Sequence, residues 1–168
     1  MNVKKSHESP KGILLIGYGN PGRLDDGLGP ALAAEMEKRN ITGLDIDSDY
    51  QLTVEHASDV AEHEMVIFAD ADVAGEEPFR FAEISPTDDR PGFSSHSVEP
   101  GEVLALAAKL FGASPKGFVM GIRGYEFDGF GERLSEKARA NLAAAASYIE
   151  DRLGKGLMCE ANTTRGPR

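Results

Sequence analysis

Short apolar runs alternate with amphipathic segments along most of this sequence, and this alternation restricts the fold more than any other feature. Runs typical of buried strands occur at 13–16, 65–70 and 117–122, with weaker strand patterns near 44–46 and over 79–84. Helical patterns separate most of them. Because parallel strands need such crossover connections, the sequence predicts an α/β fold: a three-layer sandwich with a mostly parallel, twisted sheet of about five strands and helices on both faces.

The helices are predicted from apolar stripes and from residues that favour helix ends. Thr53 can cap a short helix over 54–63. Ser97 is predicted to cap the third helix, which Gly112 ends, and Ser135 to open the last one.

The length and composition favour one soluble domain. The chain has 168 residues, of which 40% are hydrophobic, enough for a single core. The whole chain, 1–168, is therefore predicted to be one domain, with loosely ordered polar ends at 1–10 and 158–168.

The charge balance argues against anionic partners. A total of 28 Asp+Glu against 18 Lys+Arg gives a net charge of −10, which disfavours nucleic acid and anionic membranes. The single cysteine, Cys159, cannot form an intrachain disulfide. No apolar run has the length of a membrane span or the pattern of a signal peptide, so the cytoplasm is the expected location.

The loop after the first strand, "IGYGNPGRLDDGLGP" at 16–30, resembles a phosphate-binding loop but ends in two acids. A nucleotide phosphate needs a free, positive helix N-terminus, and the carboxylates of Asp25 and Asp26 would oppose it. Nucleotide binding is therefore not expected at 17–22. One acid, Asp25, is predicted to cap the following helix, and Asn20 to tie the loop down by side-chain to backbone hydrogen bonds.

Three chemically active side chains are predicted to meet at one edge of the sheet. Asp26 follows the first strand, Asp70 ends the third, and His96 lies in the loop before the third helix. Ligands bind beyond the carboxyl ends of parallel strands, and two carboxylates with one imidazole suit a divalent transition metal. Each acid could instead be a cap, and His96 a surface side chain. The remaining histidines are interpreted as solvated: His7, His56 and His63.

The motifs together resemble the hydrogenase maturation proteases, over most of 12–153. The resemblance is carried by "LLIGYGNPGRLDDGLGP", "VIFADADVAG", "SSHSVEPGEVLALAAKLFG", "SPKGFVMGIRGYEFDGFGERLS" and the alanine-rich last helix. Two departures stand out. Many members have glutamate at the position of Asp26, and well-known members carry Asp-Gly-Gly-Thr where this chain has "DYQLT", 49–53.

The resemblance implies a hydrolase, an aspartic-type endopeptidase that removes the C-terminal extension of a nickel–iron hydrogenase large-subunit precursor after nickel insertion. It implies nickel ligands at Asp26, Asp70 and His96, with the nickel carried by the precursor and no tightly bound cofactor of the enzyme's own. A monomer is expected. The residues implied in catalysis are Asp26, Asp70 and Asp25, and those implied in substrate binding are Asn20, Asp49 and Gln51.

Two other functions stay open. A stand-alone metal-dependent peptidase or amidohydrolase would hold its own zinc. A nickel-checking chaperone would bind the precursor without cleaving it. The chemical mechanism is also open between two alternatives. In the first, the metal polarises the scissile carbonyl or activates water; in the second, an aspartate acts as the general base.

Overall fold

The computed structural model describes residues 11–87 and 98–156, which form a five-stranded sheet between two layers of helices. The strands are β1 (Lys11–Tyr18), β2 (Leu44–Asp49), β3 (His63–Asp72), β4 (Phe79–Ile84) and β5 (Lys116–Arg123). The helices are α1 (Leu28–Arg39), α2 (His56–Ala61), α3 (Pro100–Phe111) and α4 (Glu136–Gly154), and a single 3₁₀ turn, Leu24–Gly27, precedes α1.

The sheet is mostly parallel, with the strand order β2-β1-β3-β5-β4. β1 pairs in parallel with β2 and β3, and β3 pairs in parallel with β5. Only β4 runs antiparallel, along the outer edge of β5, where the sequence predicted a weaker strand. The predicted α/β fold class is confirmed, and the carboxyl ends of β1, β2, β3 and β5 share one edge of the sheet.

Both faces of the sheet are covered because the central strands are apolar on both sides. Helices α1 and α4 pack on one face, against residues that include Leu15, Ile67 and Met120. Helices α2 and α3 pack on the other face, against residues that include Ile16 and Phe68. The result is three layers, with one apolar core on each side of the sheet.

The helix ends follow local sequence signals in part. The predicted cap of α2 at Thr53 is wrong, because the N-cap is Glu55 and the helix covers His56–Ala61 rather than 54–63. Ser135 caps α4, and its hydroxyl accepts a hydrogen bond from Ala138 N at 3.3 Å. Gly112 ends α3 in the left-handed conformation. The predicted cap of α3 at Ser97 is wrong: the N-cap is Glu99, which forms a capping box with Glu102.

Helix α1 begins unusually close to the sheet. A Cβ atom added at Gly29, in its first turn, would lie 2.2 Å from the carbonyl oxygen of Tyr18 and 2.7 Å from that of Ala69. Only glycine allows this approach, which sets the 3₁₀ turn and its aspartates directly beyond β1.

The predicted loose ends, 1–10 and 158–168, lie outside the described residues. Within the described part of the chain, no helix is long and apolar enough to cross a membrane.

Candidate functional site

A cavity of about 270 Å³ opens at the carboxyl ends of the parallel strands. Its lining comes from the ends of β1 and β3, the 3₁₀ turn, the segment after β2 and the start of α3. The lining residues are Tyr18, Gly19, Asp26, Tyr50, Gln51, Leu52, Asp70, Val98 and Glu99. Asp26 and Asp70 therefore lie in one cavity, as the position of both acids after parallel strands predicted.

The loop after β1 holds Asp26 in place. The Asp26 carboxylate accepts a hydrogen bond from Asn20 N at 2.9 Å, and the Asn20 side chain accepts one from Gly22 N at 2.9 Å. Asn20 thus ties the loop down by a side-chain to backbone bond, as predicted. Gly19 has a φ of +141°, and a Cβ atom there would lie 2.2 Å from the carbonyl oxygen of Asp26. The loop and the acid pack so closely that only glycine fits at position 19.

Asp70 has a protonation equilibrium shifted into the physiological range. Burial raises its pKa to about 7, against a hydrogen bond from Ala71 N that lowers it. The negative charges of Asp26, Glu99 and Asp72 raise the pKa further. At neutral pH the carboxyl group of Asp70 is therefore present both protonated and ionised, which is the property expected of a general acid or base.

Two further residues of the cavity were not predicted from the sequence. Glu99 adds a third carboxylate, and Tyr18 adds a phenol at the end of β1. Burial, and then the charges of Asp70 and Glu99, raise the pKa of Tyr18 above its ordinary value. The phenol therefore keeps its proton and is a hydrogen-bond donor among acids. Pro100, directly after Glu99, could have predicted from the sequence that a helix begins at this position, because proline is favoured in the first turn of a helix.

Asp25 has a different environment from its neighbour. The prediction that Asp25 caps α1 is wrong, because the N-cap is Gly27 and no side chain caps that helix. Asp25 is fully buried and binds the segment between β5 and α4 instead. Its carboxylate accepts hydrogen bonds from Tyr125 N at 2.8 Å, Glu126 N at 3.0 Å, Ser135 N at 2.8 Å and Ser135 Oγ at 2.7 Å.

These bonds decide the ionisation of Asp25. Burial acts to raise its pKa, but the donors of Glu126, Ser135 and Tyr125 together outweigh it and hold the pKa below its ordinary value. Asp25 is thus a buried, charged link between the 3₁₀ turn and the start of α4. Its predicted catalytic role stays a prediction, but this saturated environment favours a structural role.

The interpretation of two histidines as solvated is wrong. His63 is 6% exposed, and its ring nitrogens lie 2.7 Å from Asp45 Oδ2 and 2.7 Å from the carbonyl oxygen of Asp59. His56 is 4% exposed and contacts Thr53 and the acids of β2. Both side chains are structural elements of the fold rather than surface groups.

The other predicted site residues are placed as follows. Gln51 lines the cavity, whereas Asp49, beside it at the end of β2, does not. His96 lies outside the described residues, as does His7. Within 11–87 and 98–156, no group of three or more His, Cys, Asp or Glu side chains is arranged to hold a metal ion.

The comparisons with known proteins agree at the level of structure. No protein-family model and no curated protein matches the sequence. Among solved structures, the nickel–iron hydrogenase maturation protease HycI from Thermococcus kodakarensis is similar with a TM-score of 0.66 and 20% identity, over 88% of this chain and 95% of that chain. The hydrogenase maturating endopeptidase HybD from Escherichia coli has a TM-score of 0.64 and 20% identity, over 86% and 93%.

A third similar structure is the hydrogenase 2 maturation peptidase from a Thaumarchaeota archaeon. Its TM-score is 0.62 and its identity 19%, over 86% of this chain and 99% of that chain. The match covers nearly the full length of each of these proteins. This chain therefore has the fold of the hydrogenase maturation proteases.

Proposed function

We propose that this chain is a hydrogenase maturation endopeptidase, which removes the C-terminal extension of a nickel–iron hydrogenase large-subunit precursor after nickel insertion. The observation that carries the proposal is the cavity that brings Asp26 and Asp70 together, in a fold shared with maturation proteases. The protein would act as a cytoplasmic monomer. A protein substrate also agrees with the net charge of −10, which disfavours nucleic acid and membrane surfaces.

Nickel enters this proposal as part of the substrate. Asp26 and Asp70 would offer carboxylate oxygens to the ion held by the precursor, and His96 an imidazole nitrogen. An imidazole suits nickel, while carboxylates alone select poorly for it. Val98, which lines the cavity, is two residues beyond His96 in the sequence. Nickel bound in the precursor would thereby report that the large subunit is ready to be cut.

As the alternative to binding nickel, Asp70 is proposed as the general base, because in the cavity without a metal its pKa of about 7 leaves a useful ionised fraction at neutral pH. Its carboxylate would take a proton from water as the water oxygen attacks the scissile carbonyl carbon. The same proton would pass to the amide nitrogen as the carbon–nitrogen bond breaks. Asp26 would orient the precursor through the nickel, and the Tyr18 phenol would donate a hydrogen bond to a substrate oxygen.

The walls of the cavity would bind the precursor near the cut. Gln51 offers an amide at the cavity surface, and Tyr50 beside it is 69% exposed. Asn20 and Asp49 would contribute indirectly. Asn20 holds the Asp26 loop, and the carboxylate of Asp49 accepts a hydrogen bond from Tyr50 N at 2.7 Å.

The test is the mass of a nickel-loaded precursor before and after mixing with the protein. We expect the parent protein to lower the mass of the precursor by the mass of a C-terminal peptide. The variants Asp70→Asn and Asp26→Asn should leave the precursor mass unchanged. Asp128→Asn is the matched control, because Asp128 is an exposed acid that does not line the cavity. An unchanged mass with a stable complex would favour the chaperone. Cleavage of a nickel-free precursor would favour the stand-alone peptidase.

A further inference from the structure

His56 is a buried histidine that the proposed chemistry does not use. It is the first residue of α2, directly after the segment that joins β2 to that helix, and it is 4% exposed. A buried imidazole must satisfy both ring nitrogens, so its partners indicate what it does. Those partners all belong to the segment from Asp47 to Thr53.

The first ring nitrogen holds the end of this segment. Thr53 N donates a hydrogen bond to His56 Nδ1 at 2.9 Å, and Thr53 Oγ1 lies 3.2 Å from the same nitrogen. Because Nδ1 accepts a backbone N–H, it carries no proton itself. The proton of the neutral ring is therefore on Nε2.

The second ring nitrogen faces the beginning of the segment. His56 Nε2 lies 3.5 Å from Asp47 Oδ2 and 3.6 Å from Asp49 Oδ2. Asp47 and Asp49 are two residues apart on β2, so their side chains share a face of the strand. These distances are too long for strong hydrogen bonds, but the proton on Nε2 lies near two carboxylate oxygens, which attract it electrostatically.

Between these two contacts lie three residues of the cavity lining: Tyr50, Gln51 and Leu52. Leu52 is anchored in the core, but Tyr50 is 69% exposed and Gln51 is exposed as well. Burial thus does little to fix the first two. The imidazole of His56 joins the strand before them to the backbone after them.

We propose that His56 is a positioning residue, which fixes the Tyr50–Leu52 wall of the cavity and thereby sets the affinity for the precursor segment that lies against it. The inference rests on the proposed endopeptidase function for its substrate. The geometric part, an imidazole that joins Thr53 to the acids of β2, is independent of that function.

Two substitutions separate the contacts. His56→Asn can place an acceptor oxygen near the Nδ1 position, toward Thr53, but leaves nothing at Nε2. His56→Gln can place an amide N–H near the Nε2 position but leaves no acceptor for Thr53 N. His63→Gln is the matched control, because His63 is also buried and bonded to a carboxylate but lies at the opposite end of β3 from the cavity.

The kinetic arm measures trimming of the nickel-loaded precursor at a temperature where circular dichroism shows every variant folded. Both His56 variants should raise KM by about five-fold or more and keep kcat within about two-fold, since they loosen binding without touching the reacting groups. His63→Gln should leave KM unchanged. An unchanged KM in the His56 variants, or an equal rise in His63→Gln, overturns the proposal. If His56→Gln does not fold, Asp49→Asn loosens the same contact from the other side and must raise KM.

The second arm needs no substrate and keeps the two proposals apart. Hydrogen exchange of the Thr53 amide should accelerate at least about ten-fold in His56→Gln and stay near the parent rate in His56→Asn. If the parent does not trim any precursor, the proposed function fails, but this pattern still supports the positioning role. Equal Thr53 exchange in the parent and His56→Gln overturns it.

Discussion

Removal of the Asp25 carboxylate should destabilise the protein more than removal of any acid in the cavity. Asp25 is fully buried and accepts four hydrogen bonds, and an alanine would leave the donors of Tyr125, Glu126 and Ser135 without a partner. Each unsatisfied buried donor costs about 1–3 kcal/mol, but water can enter the space of the lost side chain and satisfy some of them. We expect Asp25→Ala to lower the free energy of unfolding by about 4 kcal/mol, which corresponds to about two donors left unsatisfied.

In a chain of this length, such a loss lowers Tm by about 8–16 °C. The assay is urea unfolding followed by circular dichroism, supported by thermal melts. Asp26→Ala is the control, because the carboxylate of Asp26 accepts a backbone hydrogen bond from Asn20 N rather than the four bonds that Asp25 accepts. We expect a loss of about 1–2 kcal/mol for that variant.

The pH dependence of this difference has a definite sign. The folded pKa of Asp25 lies below its unfolded value, so its stabilisation is present above about pH 4 and is lost as the pH falls through the folded pKa. The gap between parent and Asp25→Ala should therefore narrow in acid. If Asp25→Ala lowers the free energy of unfolding by less than about 1 kcal/mol at pH 7, the structural role is refuted. If that variant is as stable as the parent but no longer trims the precursor, Asp25 instead acts in catalysis.

Three other predictions concern the cavity. In metal-free buffer at pH 8, urea unfolding should show Asp70→Asn to be more stable than the parent by about 2–4 kcal/mol, and this difference should disappear toward pH 4. The reason is that the pKa of Asp70 is raised to about 7 in the folded state, so the parent protein loses stability as the pH rises from the unfolded to the folded pKa. Equal stability of the two proteins at pH 8 would contradict this prediction. Gly19→Ala should lower the free energy of unfolding by more than about 2 kcal/mol, since the added Cβ would overlap the carbonyl oxygen of Asp26. The control is Gly43→Ala, which should lower it by about 1 kcal/mol, because Gly43 has a φ of +83° but no atom within 4 Å of an added Cβ. Equal losses in the two variants would exclude the contact with Asp26 as the cause. His96→Ala should have a free energy of unfolding within about 1 kcal/mol of the parent but should fail to trim a nickel-loaded precursor. Full trimming by this variant would reject the assignment of His96 as a nickel ligand.

The part of the site that depends on topology could be predicted from the sequence. Asp26 and Asp70 both follow apolar runs of parallel strands, and the rule that such ends meet at one edge is enough to bring them together. The weaker strand β4 and the helix cap at Ser135 could also be predicted from the sequence, because each depends on a few neighbouring residues.

The part that depends on distant partners could not be predicted. The donors to Asp25 come from residues about a hundred positions later, so no local pattern distinguishes it from a helix cap. The same holds for His63, whose burial depends on Asp45 in another strand. The raised pKa of Asp70 needs its burial and three nearby acids at once, which only the assembled fold supplies.

The close contact of Gly29 with the backbones of β1 and β3 has a consequence for how this protein can change. Helix α1 continues directly from the turn that carries Asp26, and β3 carries Asp70, so the close backbone contact at Gly29 fixes the spacing of the two carboxylates. The opposite wall, Tyr50–Leu52, is held by side chains and carries its exposed residues on a loop. A library randomised at Tyr50 and Gln51 alone should therefore yield folded variants, so this wall is the part of the cavity whose shape and chemistry can change at the lowest cost in stability.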